Sequence, residues 1–183
     1  GKGTFVNQIK IQQDALYTIQ SFRSQMEKEG LVHRTVVLEF HEDECDDHIA
    51  NILKIEEGSK IIKLRRLRLV DEVPLLLLID YLPAEPMKKL FEHNLEKESL
   101  ADLIEKISGR LITHSERSIE ANIAGEYESR MLQIKKGAPI QTVTLITYVS
   151  GNKPLHYGHA HYRGDRSTFS FTLSRSNDTI KSF

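Results

Sequence analysis

The sequence predicts an α+β fold with an antiparallel sheet, on two observations: a helix-plus-hairpin unit occurs twice, and the strand–helix–strand alternation of a parallel sheet is absent. The repeat is explicit. Leu53-Lys54-Ile55-Glu56-Glu57-Gly58-Ser59-Lys60-Ile61 has the pattern L-x-I-x-x-G-x-x-I, which returns in Leu132-Gln133-Ile134-Lys135-Lys136-Gly137-Ala138-Pro139-Ile140. A chain of 183 residues with 39% hydrophobic content has apolar material for one core, and one domain is expected.

Taken in order, Ser21 to Glu29 reads as a short helix stopped by Gly30, and Val32 to Phe40 as an alternating strand. Asp46 to Leu53 is the helix leading into the first repeat. Ile61 to Val70 is a strand, Asp71-Glu72-Val73 a turn, and Pro74 to Leu82 the return strand, stopped by Pro83. Ser99 to Ile107 is a helix with Ser99 as N-cap and Asp102 three residues on. Arg110 to Ile123 is a long strand and Tyr127 to Ile134 the second repeat's helix. Gln141 to Val149, the turn Ser150-Gly151-Asn152 and Lys153 to Arg163 then repeat the hairpin. Pro74 and Pro154 match at the start of each return strand, where a missing N–H costs least. A last strand, Thr168 to Leu173, and a polar tail from Ser174 close the chain.

Charge narrows the function. With 25 Lys+Arg against 26 Asp+Glu, the net charge of -1 gives no pull on polyphosphate or an anionic membrane, and nucleic-acid binding by this segment alone is not expected. The lone Cys45 excludes an internal disulfide, and no apolar run approaches the roughly 20 residues of a membrane span. Gly1-Lys2-Gly3-Thr4-Phe5-Val6 has no signal-peptide core, so a cytoplasmic protein is expected, and a start at Gly1 reads as a fragment.

Alternation puts Arg66 and Arg68 on one strand face with Ile62, Leu64 and Val70. Two guanidinium groups on an apolar face are costly unless an anion compensates them, and guanidinium suits phosphate or carboxylate. Alternatively, both heads reach water, or they pair with an internal acid such as Asp80. The helix starts at Gln20-Ser21-Phe22-Arg23 and Ser99-Leu100 offer anion-binding N–H groups, or are ordinary caps. In Leu155-His156-Tyr157-Gly158-His159-Ala160-His161-Tyr162, His159 and His161 share one face and His156 lies on the other, so one metal takes at most two of them and no metal site is expected. His156 and Tyr162, beside Gly158 and Ala160, read as a pocket wall whose small residues leave ligand space, or as plain core. Cys45 lies among Glu42, Asp43, Glu44, Asp46 and Asp47, whose carboxylates disfavour a nucleophilic thiolate. No G-x-S-x-G, P-loop or H-E-x-x-H is present, so neither an enzyme nor a cofactor is expected.

With these residues in view, the chain resembles the UTRA domain of the HutC subfamily of GntR-type regulators. Gly1-Lys2-Gly3-Thr4-Phe5-Val6 resembles the end of that family's DNA-binding wing, Gln20-Ser21-Phe22-Arg23 its S-F-[ST] loop, and Arg66-Leu67-Arg68 its R-x-R strand. Ser99-Leu100 resembles its S-L-Y helix start, and Tyr162-Arg163-Gly164-Asp165-Arg166 its Y-R-G-D-R turn. The resemblance implies a chorismate lyase-like fold, a homodimer, and a small effector that modulates operator DNA binding through a winged-helix domain preceding Gly1. It divides the chain into a wing remnant at 1–6, a linker at 7–14, the effector-binding domain at 15–175 and a tail at 176–183. It places an anion at Ser21, Phe22, Arg23, Arg66, Arg68 and Ser99, and the rest of the effector near Leu78, His156 and Tyr162. Sugar-phosphate-binding members carry an acid at the positions of Leu78 and His156 and a tyrosine at Ala101. This chain's departures imply a less polar or smaller anion, such as a phosphonate, a carboxylate or a different phosphate ester. Two alternatives stand beside this reading: a lyase on the same fold acting on an aromatic carboxylate, and a dimerisation module with a vestigial pocket.

Overall fold

The computed structural model describes residues 10–12 and 22–170. In chain order the elements are β1 (Ile11–Gln12), α1 (Phe22–Lys28), β2 (His33–Glu44), α2 (Asp47–Leu53), β3 (Lys60–Val70) and β4 (Val73–Pro83). There follow α3 (Ala84–Met87), a 3₁₀ turn (Lys88–Glu92), α4 (Leu100–Ser108), β5 (Ile112–Ile123), α5 (Glu126–Leu132), β6 (Pro139–Val149), β7 (Lys153–Arg163) and β8 (Ser167–Thr168). Six strands form one antiparallel sheet in the order β2-β3-β4-β7-β6-β5, while β1 and β8 pair in parallel separately. The predicted α+β class and antiparallel sheet are what the chain forms.

The duplication extends beyond the motif. The segment β2-α2-β3 recurs as β5-α5-β6 at a constant offset of 79 positions (Lys60–Val70 against Pro139–Val149), and the two halves meet at β4 and β7 in the middle of the sheet. Even the irregularity recurs. The β3–β4 register shifts between Arg68 and Leu69, and the β6–β7 register shifts between the equivalent Thr147 and Tyr148. A bulge of this kind re-aims side chains locally.

Each helix is delimited by its own residues. The Asp46 side chain caps α2 by accepting from the Ile49 N–H at 2.8 Å, and Lys54 ends it in the left-handed region. Ser99 caps α4 through the Asp102 N–H, and Gly109, at φ 65°, ends it without a Cβ penalty.

Alternation along the strands makes two apolar layers. On one face, Phe22 and Met26 of α1 pack on Leu76, Leu78, Val143, Ala160 and Tyr162. On the same face, at the other end of the strands, Leu100, Leu103 and Ile104 of α4 pack on Ile62, Leu64, Leu82 and Val149. The opposite face carries α2 over Ile61 and Tyr157, and α5 over Leu77 and Ile140. The first face therefore has a helix at each end and a gap between them.

Some expectations shift. The predicted strand from Arg110 begins at Ile112, and the helix and strand predicted over Ser21 and over 171–173 run beyond the described residues. The N-terminal wing, most of the linker and the C-terminal tail also lie outside them. The first hairpin turns on Asp71 and Glu72, both with positive φ (50° and 60°), so Val73 belongs to the strand. Unanticipated were α3 with its 3₁₀ turn, where Pro86 and Lys88-Lys89 break any apolar period, and the β1–β8 pair, too short to leave one. Among the described residues no helix is long and apolar enough to cross a membrane.

Candidate functional site

The gap between α1 and α4 is a cleft of about 820 Å³, floored by Arg66 and Arg68 and walled by Phe22, Arg23 and His33 on one side and Ser99, Asp102 and Leu103 on the other. Behind it lies a smaller chamber of about 140 Å³, reached past the same Phe22, Arg66, Arg68 and Ser99. Leu78, Ala101, Ile104, Ile112, Leu145 and His156 are among its lining residues. Equivalent positions of the two halves face each other here. Arg66 and Arg68 of β3 stand opposite Leu145 and Thr147 of β6, and Phe22 of α1 opposite Ala101 of α4.

The two arginines differ. Arg66 is 3% exposed, and its Nη2 donates to Asp80 Oδ2 at 2.8 Å. Asp80 Oδ1 accepts from His156 Nε2 at 2.9 Å, because an ionised carboxylate can only accept, and His156 Nδ1 faces Thr147 Oγ1 at 3.4 Å. Burial alone would push the Asp80 carboxyl up, but the Arg66 charge and the His156 hydrogen bond outweigh it and hold it well below the usual carboxylate range. Arg66 is thus neutralised internally, by the acid that alternation offered as its alternative partner.

Arg68 has no such partner. Among the described residues no carboxylate lies within ion-pair distance of it, its buried Nε, like that of Arg66, lacks a hydrogen-bond acceptor, and its guanidinium rests 4.6 Å from the centre of the Phe22 ring. Burial, helped by the neighbouring Arg66 charge, pushes its pKa down to about 9. At neutral pH it remains a partly buried cation facing a cleft. The positive charge left without an acid partner is therefore that of Arg68 and not that of Arg66.

The other expected residues divide. Phe22, Ser99, Leu78 and His156 line the cleft or its chamber. Arg23 lines the cleft mouth, where it pairs with Glu27 at 2.8 Å and donates to the Lys97 carbonyl at 3.2 Å. Tyr162 is buried in the core with Phe22 and Met26 and packs edge-on against Phe169, so it supports the wall without lining either space. Ser21 lies outside the described residues. The room expected beside Gly158 is not ligand space: a Cβ there would meet Asp80 Oδ1 at 3.1 Å and His156 Nε2 at 3.2 Å. Gly158 makes room for the Asp80–His156 contact. Unanticipated lining residues are Ile104, Ile112, Leu145, Thr147 and Arg117, the last with its pKa lowered by burial. The offset of the repeat, applied to Arg66 and Arg68, would have found Leu145 and Thr147.

His159 and His161 do share the opposite face, with ring centres 6.2 Å apart and Nδ1 atoms against Thr144 and Thr142. Among the described residues no three metal-ligating side chains converge. Cys45 is buried and donates to the Glu56 carbonyl at 3.4 Å.

Against known proteins, the family described as UTRA domain matches residues 28–168. The HTH-type transcriptional repressor NagR of Bacillus subtilis is 29% identical over 175 residues, which cover 96% of this chain and 71% of that protein. The crystal structure of the effector domain of PhnF from Mycobacterium smegmatis is similar with a TM-score of 0.79 at 22% identity, over 85% of this chain and 95% of that one. A second PhnF structure from the same organism gives 0.81 at 21% identity, over 87% of this chain and 71% of that one. At such identities the structural likeness shows the fold.

Proposed function

This chain belongs to the UTRA domain family, and we propose that it is the ligand-sensing domain of a bacterial transcription regulator of the GntR/HutC type. In this reading a small anionic metabolite, phosphorylated, phosphonate or carboxylate, enters the cleft between α1 and α4 and modulates the operator affinity of an attached winged-helix domain. The observation that carries it is Arg68, a partly buried guanidinium with no acid partner among the described residues, beside the N-terminus of α4 in a cleft of ligand size. Ser99 and Phe22 frame the anion, and Arg66, already neutralised, sets the geometry of the floor. The bound anion offsets the cost of Arg68, so binding energy falls on the arrangement that closes the cleft. A coupling of roughly 1–3 kcal/mol, typical of allosteric proteins, changes operator affinity about 5–150-fold.

The regulator acts in this proposal as a cytoplasmic homodimer. The transcriptional repressors among its relatives support regulation over catalysis, so the lyase reading is not favoured. A thermal-shift screen of the chain against phosphate esters, phosphonates and organic acids tests it. The expected result is a compound that raises the melting temperature of the parent and not of Arg68→Ala. Turnover of the compound, or equal stabilisation of the variant, refutes the proposal.

A further inference from the structure

The asymmetry between the two halves says what kind of molecule the site takes. The repeat puts a large side chain, Phe22, at one helix start and a small one, Ala101, at the other, so the space between the helices opens toward α4. That space is the chamber of about 140 Å³; Leu78, Ala101, Ile104, Ile112 and Leu145 form its apolar side, and Arg66, Arg68, Asp80, Arg117, Thr147 and His156 its polar side. An apolar cavity of about 150 Å³ is known to accommodate benzene.

The polar groups around the chamber supply few free acceptors. Both Asp80 oxygens are engaged, one by Arg66 and one by His156. Ser99 Oγ accepts from the Asp102 N–H, and Thr147 Oγ1 faces His156 Nδ1. In the outer cleft, Glu27 is held by Arg23, Glu96 accepts from the Val37 N–H, and Glu98 is held by His93 and the Asn94 N–H, which leaves the Asp102 carboxylate as the acceptor at the cleft wall, outside the chamber. A sugar ring brings several hydroxyl O–H donors, and the chamber, whose polar groups are chiefly guanidinium donors, offers few acceptors for them. An apolar ring brings no hydroxyl that needs a partner and gains contact with the apolar walls.

We infer that the effector is an anion carried on a compact apolar group, aryl or branched alkyl and up to about the size of a benzene ring, with that group seated in the chamber beside Ala101 and Leu145. This rests on the reading that Arg68 receives the anion. The polyhydroxylated phosphates that suit an acid-lined pocket are excluded by the same walls that admit the ring.

Calorimetric titration of the 183-residue chain with inorganic phosphate, phenylphosphonate and glucose 6-phosphate tests the inference. Phenylphosphonate is expected to bind at least about tenfold tighter than inorganic phosphate, the smallest gain from burying a side chain of phenyl size. Glucose 6-phosphate should bind no tighter than inorganic phosphate. Ala101→Phe and Leu145→Phe, two fillers on different elements checked for folding by thermal unfolding, should each bring the ratio of phenylphosphonate to phosphate affinity close to one. A preference for glucose 6-phosphate, or a ratio that survives in both folded fillers, overturns the inference while Arg68-dependent phosphate binding leaves the sensor reading standing. If no anion binds parent or Arg68→Ala, the sensor reading falls and this inference with it.

Discussion

Replacing Arg66 and Arg68 one at a time by methionine should move the stability of the domain in opposite directions. Arg66→Met strands the Asp80 carboxylate, 1% exposed, with His156 as its remaining partner. Removing one member of a buried ion pair costs about 3–5 kcal/mol, or a melting temperature lower by roughly 6–20 °C for a domain of this size. Arg68→Met removes a cation that the fold does not neutralise. The fall of its pKa from 12.5 to about 9 corresponds to a penalty of about 5 kcal/mol on the charged form. Part of that penalty is offset by stacking on Phe22, worth about 1–2 kcal/mol for a desolvated cation–π contact, which methionine gives up. These figures leave about 3–4 kcal/mol, and because Arg68 is only partly buried and so partly screened by solvent, the net expectation is stabilisation by about 1–3 kcal/mol. Circular-dichroism melts at neutral pH without added anion measure both variants, and a repeat with phosphate asks whether either still responds. A variant Arg68→Met that melts as low as Arg66→Met, or that still gains stability from phosphate, would refute the division of roles between the two arginines.

Further expectations concern pH, the turns and the caps. Arg68 keeps its proton to about pH 9 when folded and to its ordinary value when unfolded, so its destabilising contribution is complete below about 9 and fades as pH rises through that window. Once phosphate is fully dianionic, above neutral pH, its affinity should hold to about pH 9 and then fall by up to tenfold per pH unit, and a profile that is flat from there to pH 11 by calorimetry would remove Arg68 from the site. Gly158→Ala drives a methyl against Asp80 Oδ1 and the Ile79 carbonyl, each 3.1 Å from the new atom, and should cost about 1–3 kcal/mol in denaturant titration; a neutral result would mean that the Asp80–His156 contact yields easily. The double change Asp71→Asn, Glu72→Gly supplies the turn residues that two consecutive positive φ angles favour, and should raise stability by about 1 kcal/mol, less any contribution of the exposed Arg34–Glu72 pair. Ser99→Ala should cost about 1 kcal/mol through loss of the α4 cap, and in the proposed site should also weaken anion binding.

The sheet was legible because its signals are local and doubled. The repeated L-x-I-x-x-G-x-x-I pattern marked the α2–β3 and α5–β6 passages, and alternation placed Arg66 with Arg68 on one face of their strand and His156 opposite His159 and His161 on theirs. What could not be read was pairing across the sheet. Strand order decides that Asp80 meets both Arg66 and His156, and no single-strand pattern distinguishes that outcome from two arginines awaiting a ligand. The segment 84–92 was missed for a different reason: its turns are too short and too interrupted for a helical period, and α3 is held by tertiary packing of Ala84 and Met87. The expectation that Gly158 opens ligand space failed because a missing side chain says only that something comes close, and here the approaching atoms belong to the protein.

The join between the halves has a mechanical consequence. β4 and β7 pair over Leu76–Tyr81 and Tyr157–Tyr162, a shorter overlap than either hairpin makes within its own half. Twisting one half against the other concentrates shear on this narrow seam, and the chamber behind the cleft sits astride it, with Arg68 on one bank and Leu145 and Thr147 on the other. A molecule wedged there acts as a splint: it damps torsion between the banks without displacing any strand, and slower exchange of the Leu77 and Ile79 amides in its presence would register the stiffening.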